Sequence, residues 1–131
     1  METIILKGDN EKVLNLELSD ILKLVPDGND YQWKILWIEG VSKQNNDLDI
    51  VSLENKVKTN GLELSFKELE TLSLKFFQLI DFVLVGKKKG IDEVNKSMTY
   101  DSIKRESDFF IELIDSSYWE LTSKNKILQI K

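Results

Sequence analysis

The run Asp108 to Ser123, DFFIELIDSSYWELTS, limits the choice of fold more than any other part of the chain. Phe109, Phe110, Ile111, Leu113 and Ile114 surround a single acid, Glu112. A short run of β-branched and aromatic residues, apolar at both alternating positions, predicts an interior strand. Asp115, Ser116 and Ser117 then interrupt it with side chains that hydrogen-bond their own backbone and favour turns. Tyr118 to Thr122 reads as a second strand. Two strands so close in sequence and joined by a turn predict antiparallel pairing.

Elsewhere the pattern is mixed. Thr3 to Lys7 reads as a strand, and Lys12 to Leu18 alternates with Leu14, Leu16 and Leu18 on one face, so the two predict an N-terminal hairpin. Ser19 is placed to cap a short helix from Asp20 to Leu24. Pro26 to Asp30 reads as a loop. Tyr31 to Val41 is the longest strand, with Tyr31, Trp33, Ile35, Trp37, Glu39 and Val41 on one face. Leu48 to Lys58 predicts a short helix, and Leu62 to Leu64 a brief strand. Ser65 and Glu68 match a capping box that opens a helix at Phe66. From Phe76 to Val85 the periodicity is compatible with a continued helix or a buried strand; Phe and Val favour a strand in its second half. Gly86 to Gly90 reads as a basic loop and Ile91 to Glu106 as a polar stretch with a short helix. Ser123 to Asn125 reads as a turn, and Lys126 to Lys131 as a last strand. The expectation is a single α+β domain over residues 1–131: a mainly antiparallel sheet with a few helices packed on it.

The absence of residues narrows the chemistry. The chain has no cysteine and no histidine. That removes disulfides, thiolate nucleophiles, cysteine-based zinc sites and the commonest general base at neutral pH. Catalysis would fall to carboxylates, lysine or tyrosine. The expectation is no enzyme, no cofactor and no metal. Net charge is −5, of which residues 1–60 carry −4 and residues 61–131 carry −1. An acidic half repels phosphate backbones and attracts a basic protein. No run approaches the ~20 apolar residues of a membrane span. METIILKGDN lacks the pattern of a signal peptide, so the expected location is cytoplasmic.

Several residues admit two readings. Gly86-Lys87-Lys88-Lys89-Gly90 lacks the spacing of a phosphate-binding loop and reads as a solvated loop. Asp81 lies in an apolar run; it is either a perturbed acid or one satisfied by a neighbour. Glu112, Asp115 and Glu120 form either a carboxylate cluster for glycoside or metal chemistry, or a paired residue, a turn cap and an exposed acid. Trp33 and Trp37 read as core packing or as a platform for a sugar or base. Tyr118 and Trp119 alternate, so only one of them faces the core.

Three segments, YQWKILWIEG (Tyr31 to Gly40), LSFKELETL (Leu64 to Leu72) and IELIDSSYWELTSK (Ile111 to Lys124), together resemble small bacterial immunity-type proteins, the cognate inhibitors of polymorphic or contact-dependent toxins. The three segments together make up about a quarter of the chain. The resemblance implies a cytoplasmic α+β domain that binds one toxin domain, blocks it and performs no catalysis. On that reading the partner-binding candidates are Asp115, Glu120 and whichever of Tyr118 and Trp119 faces outward. The loop acids Asp27, Asp30, Asp47 and Asp49 are second candidates. The alternative is a carbohydrate-binding protein or carboxylate enzyme using exposed tryptophan and acidic residues.

Overall fold

A computed structural model describes residues 2–7, 16–43, 48–88 and 99–124. Among these residues six strands form one antiparallel sheet: β1 (Glu2–Lys7), β2 (Tyr31–Ser42), β3 (Leu62–Leu64), β4 (Phe76–Lys88), β5 (Phe109–Ile114) and β6 (Tyr118–Ser123), in the order β1-β6-β5-β4-β2-β3. Helices α1 (Leu18–Leu22), α2 (Ile50–Asn60) and α3 (Phe66–Ser73) pack on one face, called inner here. Helix α4 (Tyr100–Glu106) lies on the other. The α+β class and the dominance of antiparallel pairing match the expectation from sequence. No helix among the described residues is long and apolar enough to cross a membrane.

The core follows from alternation. Phe82 and Leu84 of β4, Phe109, Ile111 and Leu113 of β5, and Trp119 and Leu121 of β6 turn to the inner face. There they meet Leu18, Ile21 and Leu22 of α1, Leu53 and Val57 of α2, and Phe66 and Leu69 of α3. A smaller cluster on the outer face joins Ile103 of α4 to Leu36, Val85 and Phe110. Strands β4 and β5 are thus apolar on both sides because helices cover both sides. This explains why Phe76 to Val85 carries no clean period: β4 is strand along its whole length, with no helical continuation.

Helix α3 starts where the capping box predicts. The Ser65 hydroxyl accepts from the Glu68 N–H at 3.1 Å, and the Glu68 carboxylate accepts from the Ser65 N–H at 2.9 Å. The Asp49 carboxylate caps α2 in the same way, accepting from the Ser52 N–H at 3.1 Å. Both carboxyls are held below their ordinary values, Glu68 chiefly by the Ser65 N–H and Asp49 chiefly by the Ser52 N–H. A lowered folded-state value stabilises the fold above the unfolded value. That stabilisation is lost as pH falls below 4.5 for Glu68 and 3.8 for Asp49. Ser65→Ala is expected to cost about 1 kcal/mol in urea denaturation. A change within error would mean that the cap is not needed to start α3.

Several expectations need correction. β1 pairs with β6, Ile4 opposite Leu121 and Leu6 opposite Trp119, a pairing beyond the hairpin predicted with Lys12 to Leu18. Of that predicted second strand, Leu18 begins α1, while residues 11–15 lie outside the described residues. Helix α1 begins two residues earlier than predicted, with Glu17 as N-cap in place of Ser19; Asp20 accepts from the Glu17 N–H at 2.9 Å. Gly86, Lys87 and Lys88 are not loop residues but the end of β4, paired with Trp33, Gln32 and Tyr31. Lys89 and Gly90 lie outside the described residues, as does the predicted last strand Lys126 to Lys131. Ser123 closes β6 rather than opening a turn.

The single face predicted for Tyr31 to Val41 is also broken. The register with β4 slips between Ile35 and Trp37, so Leu36 is an extra residue, a β-bulge. Before it, Trp33 and Ile35 point inward; after it, Ile38 does. Trp37 and Glu39 therefore turn outward, away from Trp33.

Candidate functional site

The outer face of the sheet gathers Asp81, Glu112, Glu120, Trp37 and Tyr118 of the residues that the sequence singles out. One row crosses five strands in register: Trp37 opposite Val83, Val83 opposite Glu112, Glu112 opposite Glu120, and Glu120 opposite Ile5. A second row places Glu39 opposite Asp81 and, across the β5–β6 hairpin, Ile114 opposite Tyr118. Helix α4 covers the neighbouring Val85 and Phe110 and reaches the first row, where Val83 packs against the same cluster. Trp37 is 43% exposed and Ile5 55%.

Helix α4 is tied to this face by polar contacts. The Tyr100 hydroxyl donates to the Glu112 carboxylate at 2.6 Å, and the Tyr100 ring meets Phe110 edge-on. Lys104 donates to the Glu120 carboxylate at 3.0 Å and stands over the Phe110 ring. Burial and then the hydrogen bond to Glu112 push the Tyr100 phenol well above the ordinary tyrosine range. A raised value means that stability is complete below the unfolded value, near 10.0, and declines as pH rises beyond it. Melting temperature is therefore expected to fall above about pH 10 more steeply in the native protein than in Tyr100→Phe. Parallel curves would show that the phenol does not couple to α4 docking.

The hairpin turn is fastened to the same end of the sheet. Asp115 and Ser116 both adopt the left-handed region, at φ 47° and 54°. Consecutive residues of that kind form tight hairpin turns whose twist suits the strands, and Asp tolerates the conformation better than most. The Asp115 N–H donates to Asp81 at 2.9 Å, the Ser116 N–H to the Ile80 carbonyl at 2.8 Å, and the Ser116 hydroxyl to the Leu79 carbonyl at 3.1 Å. Asp81 is therefore a half-buried acid serving a neighbouring turn, the plainer of its two readings. Ser117 donates to the Ile114 carbonyl at 2.8 Å and closes the turn.

The candidate residues separate into groups. Tyr118 and Glu120 stand on the outer face beside Glu112, and Asp115 is exposed at the hairpin tip. Trp119 alternates to the inner face, is 1% exposed, and donates its indole N–H to the Leu16 carbonyl at 3.0 Å. Of the aromatic pair, Tyr118 is the one that faces outward. Asp27 precedes and Asp30 ends a 3₁₀ turn over Gly28–Asp30, and Asp49 caps α2; all three are exposed, on other elements. Asp47 lies outside the described residues. Trp33 and Trp37 do not form a stacking platform: Trp33 is buried in the core, its indole N–H donating to the Gly28 carbonyl at 2.9 Å. The sequence reading passed over Glu39 and Tyr100. A bulge at Leu36 leaves no signature in composition, and the contact between Tyr100 and Glu112 depends on how α4 crosses the sheet.

This arrangement bears on chemistry. Glu112 and Glu120 are directly opposed, but each is engaged by a separate donor from α4, Tyr100 and Lys104 respectively. Among the described residues, no group of three or more acids is placed to hold a metal ion. The acids run along a sheet face and do not converge on one reacting point. Searches against protein-family models, curated proteins and solved structures returned no match to this chain.

Proposed function

We propose that this protein is an immunity-type binding module that neutralises a basic bacterial toxin domain by direct contact in the cytoplasm. The observation that carries the reading is the outer sheet face, where two strand-crossing rows carry the carboxylates of Glu39, Asp81, Glu112 and Glu120 together with the exposed Trp37 and the half-buried Tyr118. Aromatic anchors rimmed by charge are the common make-up of protein interfaces. The net charge of −5 fits a cationic partner and argues against nucleic acid. The protein performs no catalysis on this reading. The carbohydrate-binding or enzymatic alternative loses its paired-tryptophan platform, since Trp33 belongs to the core.

Co-expression tests the proposal. The variable C-terminal domain of a secreted protein encoded beside this reading frame is produced with and without this chain. Survival only in the presence of this chain is the expected result. Equal killing in both cultures rejects the immunity reading.

A further inference from the structure

Directly opposed like charges destabilise an antiparallel pair. The outer face nevertheless carries two such pairs, Glu39 opposite Asp81 and Glu112 opposite Glu120. The second pair is compensated within the fold, Glu112 by the Tyr100 hydroxyl and Glu120 by Lys104. The first pair is compensated on one side only. Asp81 accepts from the Asp115 N–H, while Glu39 is exposed and has neither a cation nor a hydrogen-bond donor among the described residues. Glu39 also stands two residues along β2 from Trp37, on the same side of the strand, because the bulge at Leu36 has turned both outward. An indole face beside two facing carboxylates is a poor arrangement for an isolated fold. It suits a planar cation, which stacks on the ring while its N–H groups bridge the acids.

We infer that Trp37, Glu39 and Asp81, with Val83 and Glu112 alongside, form the docking surface for an arginine-bearing segment of a basic protein partner. The inference deepens the function proposed above and rests on it for the partner's identity. The occupant is chosen by charge and shape together. A nucleic acid or an acidic peptide meets repulsion from three carboxylates on this patch. A purely apolar helix leaves Glu39 and Asp81 desolvated without a counter-charge. Arginine is preferred to lysine because it stacks on Trp37 and reaches both acids with one planar group. The arrangement also predicts opposed effects from one substitution. Glu39→Gln removes the unbalanced repulsion, so it raises the melting temperature slightly while weakening partner binding. A residue with a purely structural role does not behave in that way.

Two measurements on the full chain test the inference. In the first, amide chemical shifts are followed as a tetra-arginine peptide is added. The largest shifts are expected at Trp37, Glu39, Asp81 and Glu112. They fade as salt rises, shrink with tetra-lysine and are lost in Glu39→Lys. Shifts spread over all surface acids, or centred on Asp27, Asp30 and Asp49, overturn the inference. So does a Glu39→Gln variant that loses stability and binds the peptide unchanged. In the second, a toxin domain against which the native chain protects is challenged with variants whose circular dichroism matches the native spectrum. Trp37→Ala and Glu39→Lys are expected to bind it about 30-fold or more weakly and to lose protection, while Asp30→Lys retains it. Protection retained in Trp37→Ala and Glu39→Lys overturns the docking surface and leaves the immunity reading standing. If the native chain protects against no toxin domain and tetra-arginine still maps to this patch, the immunity reading fails and the cation-binding surface stands.

Discussion

Replacing Trp33 with alanine is expected to cost about 3–5 kcal/mol, read as a large fall in the urea midpoint. Against a total of roughly 5–15 kcal/mol for a domain of this kind, that leaves a marginal fold. The residue is 1% exposed. Its ring is stacked with Phe109 at 5.7 Å between centroids, tilted against Phe66 at 5.6 Å and edge-on to Tyr31 at 6.1 Å. It therefore joins β2, β5 and α3 at one point. Its indole N–H also satisfies the Gly28 carbonyl, which fixes the 3₁₀ turn ahead of β2. The loss thus combines a cavity with the removal of one of two hydrogen bonds to the Gly28 carbonyl, which also accepts from the Tyr31 N–H. The facing position on β4 supplies an independent check. A Cβ built at Gly86 falls 2.6 Å from the Trp33 ring, closer than real contacts allow. Gly86→Ala alone is expected to cost about 1–3 kcal/mol by overpacking. Combined with Trp33→Ala, its methyl enters space that the indole has vacated, so the double variant should lose less than the two single losses added. Strict additivity would mean that the ring does not rest on Gly86.

Trp119→Ala is expected to have a comparable effect, again about 3–5 kcal/mol, whereas Tyr118→Ala one position earlier costs about 1 kcal/mol. The contrast comes from alternation along β6. Trp119 turns inward, meets Phe82 edge-on at 6.2 Å and donates to the Leu16 carbonyl. It ties the chain entering α1 to a strand more than a hundred residues later. Tyr118 is half-buried on the outer face, opposite Ile114, with no core neighbours to lose. Thermal or urea denaturation of the two variants side by side decides the matter. Equal losses would mean that both rings pack in the core. The same pair separates folding from binding: a toxin-binding defect in Tyr118→Ala at near-native stability assigns that ring to the interface, since Trp119 is inaccessible without unfolding.

The sequence by itself determined the local choices. Period two identified β2, a run of β-branched and aromatic residues identified β5, the capping box located the start of α3, and the turn chemistry of Asp115 to Ser117 located the hairpin to β6. Each of these is decided within a few residues, by propensity and by which backbone groups a nearby side chain can satisfy. The tertiary structure decided what depends on a distant partner. β4 has no clean period because helices cover both of its faces, so only the assembled layers mark it as strand. β1 pairs with β6 across the whole chain, a long-range preference that no local pattern encodes. The one-residue bulge at Leu36 moved Trp37 and Glu39 to the outer side, because a slip of one residue in a strand exchanges its faces. With that slip, Glu39 came to face Asp81 beside an exposed indole. The candidate site is therefore a product of register, which is set by packing across the sheet and not by the residues of β2 alone.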